Sequence, residues 1–163
     1  MVLAHLRSLV LPLFASVFVP WLLVGLGDEP PRTTWWHALR AAPVLAMGLA
    51  MLGWTVALFV RVGKGTLAPW NPTRRLVVVG PYAHVRNPMI SGVFCILCGE
   101  ALLLESSRMA TWALLFLVVN HVYFVFSEEP GLTMRFGAEY TEYALHVPRW
   151  LPRLRPWRPD RTL

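Results

Sequence analysis

The stretch Gly80-Pro81-Tyr82-Ala83-His84-Val85-Arg86-Asn87-Pro88-Met89-Ile90-Ser91-Gly92 sets four polar side chains, Tyr82, His84, Arg86 and Asn87, against the start of a long apolar run. Asn87 followed by Pro88 reads as a helix start, with the amide as N-cap and the proline at the first helical position, where its missing N–H costs nothing. The apolar run continues to about Leu104, a turn follows at Glu105 to Arg108, and a second run extends from about Met109 to Phe126. Two apolar helices joined by so short a turn return the chain to the side it started from. The polar cluster Ser127-Glu128-Glu129-Pro130, which closes the second run, is therefore expected beside Tyr82 to Asn87, and the two clusters are expected to make one site.

Outward from this pair, two more apolar segments precede it, at about residues 2–26 and 39–60. At about 1.5 Å per residue each is long enough to cross a hydrocarbon core of about 30 Å. The first carries Pro12 and Pro20, which predict kinks, and it reads as a retained helix because it exceeds a signal-peptide core and lacks a clear small-x-small cleavage site. Between the two lies a polar turn with Asp28, Glu29 and the interfacial pair Trp35-Trp36. After Arg61 comes a polar loop in which Trp70-Asn71-Pro72 and the Leu76 to Val79 run suggest a segment lying along the interface. Beyond Pro130, Leu132, Phe136, Tyr140 and Tyr143 recur at helical spacing opposite Arg135, Glu139 and Glu142, which predicts an amphipathic surface helix.

The whole is expected to be an all-α polytopic membrane protein of one domain over residues 1–163, with spans at about 2–26, 39–60, 88–104 and 109–126 and a polar C-terminal segment at 127–152. A hydrophobic content of 56% over 163 residues is too high for an ordinary soluble domain. Four spans put both termini on one side, with Arg7, Arg61, Lys64, Arg74, Arg75, Arg86 and the arginines from Arg135 onward, and leave Arg32, Arg40 and Arg108 opposite. The positive-inside rule places the arginine-rich side in the cytosol, in a bacterial inner membrane, and accounts for the net charge of +6 without nucleic acid.

Glu128 and Glu129 sit at a helix C-terminus, where the macrodipole disfavours carboxylates, so they need a cationic partner. Either they cap the following helix or pair with nearby arginines, or they form an anionic pocket for a bound amino group or sulfonium. His121 lies seven residues before Glu128 and Asn120 seven before Ser127, which puts a polar face on the last turns of that span. Such groups inside a membrane face protein or a water-filled pocket. Glu100 is expected to snorkel or to pair with Arg108. Gly48 and Gly53 offer close helix contacts, and Gly92 and Gly99 share a face on which the third span can approach the fourth or leave room for a ligand. Cys95 and Cys98 read as small packing residues, since zinc requires four ligands and no second pair exists; no metal is expected.

Taken together, Gly80-Pro-Tyr82, Arg86-Asn87-Pro88-Met89, Glu128-Glu129, Phe136-Gly137-x-Glu139-Tyr140-x-x-Tyr143 and Val147-Pro148-Arg149-x-x-Pro152 resemble the isoprenylcysteine carboxyl methyltransferases and the related phospholipid methyltransferases. The resemblance covers about the C-terminal half. It implies a membrane enzyme that uses S-adenosylmethionine bound outside any Rossmann fold. Carried over by position, it implies cofactor contacts at Tyr82, Arg86, Asn87, Pro88, Glu128 and Glu129; the residues themselves add Tyr140 as a stacking ring and Gly92 as room for a ligand, and Arg149, Glu129 and His121 as catalytic candidates. Asn87 stands where the family commonly has histidine, and His146 where the eukaryotic prenylcysteine enzymes tend to have arginine.

The expected reaction is methyl transfer to a lipophilic carboxylate, amine or thiol acceptor that enters from the bilayer. A carboxylate would be anchored by Arg149 or Arg86, and an amine deprotonated by His121 or a glutamate. The rival readings are an NADPH-dependent membrane reductase of the steroid-reductase type, for which paired glutamates are poorly suited, and a non-catalytic membrane scaffold subunit.

Overall fold

The computed structural model describes residues 14–26, 33–63 and 75–159. A π-turn at Phe14–Phe18 leads into α1 (Val19–Gly25); α2 (Trp35–Leu58) ends in a second π-turn, Phe59–Gly63; a 3-10 turn at Gly80–Ala83 precedes α3 (Pro88–Leu104). Helix α4 (Ser107–Tyr123) passes through a third π-turn, Phe124–Glu128, into α5 (Glu129–Phe136), and α6 (Ala138–His146) follows. No strand occurs among the described residues. Residues 2–13 of the first expected span, Asp28 and Glu29 of the first turn, and Lys64, Trp70 to Pro72 and Arg74 of the loop lie outside the described residues.

Two helices are long and apolar enough to cross a membrane, Trp35–Val62 with 28 residues and Ser107–Phe136 with 30, while Phe14–Gly25 and Pro88–Leu104 are shorter apolar helices. Their outward faces expose Leu49, Trp54, Leu114 and Val118, as lipid-facing surfaces do. At about 1.5 Å per residue the 30-residue helix is about 45 Å long, longer than a hydrocarbon core of about 30 Å requires. Its apolar stretch ends at Phe126, and the segment from Ser127 to Phe136 is polar.

Helices α2 and α3 meet through glycine. A β-carbon on Gly48 would stand 2.7 Å from the Gly92 carbonyl oxygen and 2.8 Å from the Ile96 nitrogen, and one on Gly99 would stand 2.6 Å from Leu45 Cγ. The Gly92 and Gly99 face thus packs on α2 rather than on the helix after α3 as the sequence suggests, and Gly53 has nothing within 4 Å. Helix α4 packs instead through Ala113 and Phe116 onto Val93 and Leu97, and Trp112 donates its indole N–H to the Ala15 carbonyl (3.0 Å).

The expected amphipathic helix is broken at Gly137, whose φ of +54° is a conformation side chains rarely adopt, and much of its apolar face is covered by protein. Tyr140, Tyr143 and Val147 are buried against Leu76, Val78 and Trp157, with Leu132 and Phe136 alongside, so the Leu76 to Val79 run is a wall of this second core. A half-polar helix finds protein on its apolar side because the loop before α3 and the chain after α6 close over it. Trp35 and Trp36 belong to the first turn of α2, stacked at 3.6 Å and exposed.

Candidate functional site

Pro88 occupies the first turn of α3 and Asn87 the cap position, but the Asn87 side chain makes no cap hydrogen bond. The Asn87 carbonyl accepts the first helical bond, from the Ser91 amide (3.1 Å), together with the Ser91 hydroxyl (3.0 Å). Asn87 Nδ2 and its neighbour's Arg86 Nε are both buried without a hydrogen-bond partner. Such donors are costly to leave unmade, and a bound polar group would satisfy them.

The second cluster is shaped by the π-turn. Pro130 has no N–H to continue the i→i−4 ladder, and Glu129 donates to the Phe124 carbonyl five residues back. A π-turn holds one residue more than an α-turn, so His121 aligns with a residue eight ahead rather than seven. The expected alignment of His121 with Glu128 on one face is accordingly shifted to Glu129, and Glu128 lies near enough to Tyr82 for its charge to act there.

The two adjacent carboxylates end in opposite states. Glu129 is clasped by Arg149, Nε to Oε1 at 2.6 Å and a second nitrogen to Oε2 at 2.8 Å, with Arg86 at 3.2 Å from Oε1. Burial works to raise its pKa, but the Arg149 hydrogen bonds and the Arg86 and Arg149 charges outweigh burial and hold it below its usual range. Glu128 forms no ion pair among the described residues. Burial first, then the Glu129 charge, push its pKa up to about 7 against the more distant pull of Arg135.

Arg86, Glu129 and Tyr140 share the wall of a cavity of about 640 Å³ with Thr133 and Thr141, and Met134 and Leu145 form an apolar rim. Arg86 also faces the Tyr140 phenol, whose pKa is raised by burial and by Glu129. Met134 is 85% and Leu145 80% exposed, so the rim is open to whatever surrounds it. None of the cavity's threonines or rim residues was singled out from the sequence. Only their i, i+4 spacing with Glu129, Pro130 and Gly137 hinted at a shared face.

The remaining candidates are placed as follows. The Tyr82 ring meets Phe59 edge-on at 5.6 Å and is buried, and Tyr143 donates its hydroxyl proton to the Tyr82 carbonyl (2.7 Å), so neither ring is free to stack on a ligand. Gly92 lies in the seam with α2, remote in role from the cavity. His121 accepts the Trp150 indole N–H on Nδ1 (3.0 Å), which puts the neutral ring's own proton on Nε2 and leaves it no free lone pair for use as a base. Asn120 donates back to the Phe116 carbonyl (2.8 Å) of its own helix. Glu100 keeps one buried oxygen without a partner, while Arg108 donates to the Leu26 carbonyl (3.1 Å). Cys95 and Cys98 are free thiols, and no metal-binding cluster occurs among the described residues.

A strap after α6 completes the site. Arg86 N–H donates to the Pro148 carbonyl (2.9 Å), Arg153 N–H to that of His84 (3.0 Å) and Trp157 N–H to that of Ala83 (2.9 Å), while His84 Nδ1 donates to the Arg153 carbonyl (2.7 Å). The Tyr82 to Arg86 segment is thus bracketed by the chain that carries Arg149.

A family model described as phospholipid methyltransferase matches residues 42–139. The chain is also 28% identical over 131 residues to the nickel-cobalt-cadmium resistance protein NccN of Alcaligenes xylosoxydans xylosoxydans, a match covering 80% of this chain and 60% of that protein. The chain thus spans about three fifths of the length of this relative. No solved structure matches significantly.

Proposed function

Because the chain belongs to the phospholipid methyltransferase family, we propose that it transfers a methyl group from S-adenosylmethionine to a lipophilic acceptor at the cytosolic membrane face. In this reading α1 and α3 are spans like α2 and α4, and both termini face the cytosol. The observation that carries the proposal is the contrast between the adjacent glutamates. Glu129 is neutralised by two arginines, whereas Glu128 is a half-buried carboxyl without an ion pair among the described residues, its pKa raised first by desolvation. A carboxyl in that state is matched by a cationic ligand.

The residues present fit such a cofactor. Glu128 would face its cationic part, and the unpartnered donors of Arg86 and Asn87 would take acceptor atoms. The cavity of about 640 Å³, lined by Arg86, Glu129 and Tyr140 and not by Glu128 or Asn87, has the size of a small-molecule site next to these groups in the chain. When bound, S-adenosylmethionine supplies an electrophilic methyl group on a sulfonium. The chain's own contribution is position and exclusion of water: α5 and α6 form the cavity wall with Arg86, and Glu129 holds Arg86 and Arg149 in place. The apolar rim at Met134 and Leu145 suits the hydrocarbon part of an acceptor, and the Arg86 and Tyr140 groups its polar end. Arg149 acts here through its grip on Glu129, and His121 as the partner of Trp150 rather than as a base.

Calorimetric titration of detergent-purified protein with S-adenosylmethionine tests the reading. Saturable binding is expected, weakened about 10- to 100-fold by Glu128→Gln, the range for losing a hydrogen-bonded charge partner. Equal affinity in the variant, or binding of NADPH in place of S-adenosylmethionine, would overturn it.

A further inference from the structure

We propose that the outer side of the C-terminal strap, Leu151, Leu154, Arg155 and Arg158, docks on anionic phospholipid headgroups at the membrane surface. The inference rests on the strap's geometry and not on the proposed chemistry.

The strap is tied at three points, Pro148, Arg153 and Trp157, by main-chain hydrogen bonds of 2.9 to 3.0 Å to Arg86, His84 and Ala83. Arg153 adds a bond from its guanidinium to the His146 carbonyl (2.9 Å), and Trp157 lies on the His146 ring at 5.7 Å. The chain is therefore held in one path. Between and beyond these ties it turns Leu151 and Leu154 outward, 81% and 97% exposed, and leaves Arg155 and Arg158 exposed beside them. Exposed leucines on a floppy tail would mean little, but these stand on a fixed support.

The support also sets their depth. The ties fall on residues 83–86, immediately before α3 begins its apolar run at Pro88. Trp150, between the ties, donates to His121 and packs on Phe124 of the long helix (5.8 Å), two residues before its apolar stretch ends. The strap thus runs at the level where two apolar helices pass from hydrocarbon to water. Leucines flanked by arginines at that level match a lipid surface, the leucines entering the headgroup boundary and the guanidinium groups meeting phosphate. Charge complementarity selects anionic lipid over zwitterionic lipid.

The test uses the full chain with an environment-sensitive fluorescent amino acid at Leu154, read in detergent and in reconstituted vesicles. Vesicles of phosphatidylcholine are compared with vesicles that also contain phosphatidylglycerol. A blue shift is expected with phosphatidylglycerol, reversed by salt, and Arg155→Gln with Arg158→Gln should weaken docking about fivefold per arginine. The same probe at Leu151 gives an independent reading should the first position disturb the fold. An equal emission maximum in both vesicle types would overturn the proposal. So would a shift produced in detergent by inorganic phosphate alone, which marks a simple anion site, or one that follows the protein-to-lipid ratio, which marks a second copy of the chain.

Discussion

Glu128 and Glu129 show how much a single peptide unit can change. Their side chains are identical, yet the π-turn sends one to two guanidinium groups and leaves the other half-buried without an ion pair among the described residues. The raised pKa of Glu128, about 7, carries a definite pH signature. Its native state holds a proton that the unfolded chain has already lost, so its contribution to stability falls as pH rises through the ordinary carboxylate range to about 7 and is flat above that. Thermal unfolding of wild type and Glu128→Gln in detergent should diverge by at most about 1.4 kcal/mol per pH unit across that window, the variant lacking this slope. A cationic ligand prefers the ionised form, so wild-type affinity for S-adenosylmethionine should climb toward neutral pH and level off above about 7. In Glu128→Gln that climb should be missing; a parallel profile would exclude Glu128 as the ligand's partner.

At the level of elements, the α2–α3 seam is the most constrained contact. Gly48 faces backbone atoms of Gly92 and Ile96, which cannot swing aside as a side chain end could. Gly48→Ala should therefore push the helices apart and destabilise by about 1 to 3 kcal/mol, the usual cost of overpacking. Gly53→Ala on the same helix meets nothing within 4 Å and should stabilise α2 by up to about 1 kcal/mol through helix propensity. Denaturation of the two variants side by side separates seam packing from propensity, and equal effects would contradict the observed face of α2. Because α3 starts at Pro88, a shifted seam would also move Arg86 and Asn87, so Gly48→Ala should weaken ligand binding where Gly53→Ala does not.

For the whole molecule, two separate cores divide the work. One joins Ala15, Val93, Leu97, Ala113 and Phe116 between the helices, and the other joins Tyr140, Tyr143 and Val147 under the strap. The candidate site lies beside the second core, where the long helix extends past the length a bilayer requires. In the proposed four-span arrangement, reporter fusions at either terminus should both give the cytosolic signal, and an epitope in the turn at Glu105 to Arg108 should be accessible from the opposite side. Opposite signals from the two termini would require an odd number of crossings and would remove residues 14–25 or α3 from the set of spans.

The apolar runs, the start of α3 at Pro88 and the apolar spacing from Leu132 to Tyr143 are legible in the sequence because they depend on local chemistry: hydrophobic transfer, the missing N–H of proline and a period of 3.6 residues. The convergence of Arg86 with Glu129 is also legible, since a short turn between two apolar helices leaves little choice of side. The side chains that close the site are not. An extra residue in one helical turn exchanges the faces of Glu128 and Glu129, and no periodicity assumed in advance contains it. The partner of the Gly92 face depends on which neighbouring helix has its own glycine at the same depth, and Gly48 answers that only once the helices are packed. Arg149 reaches Glu129 because main-chain bonds from Arg86, Arg153 and Trp157 fold the strap back, and bonds between residues some 60 to 75 positions apart are set by tertiary closure rather than by any local pattern.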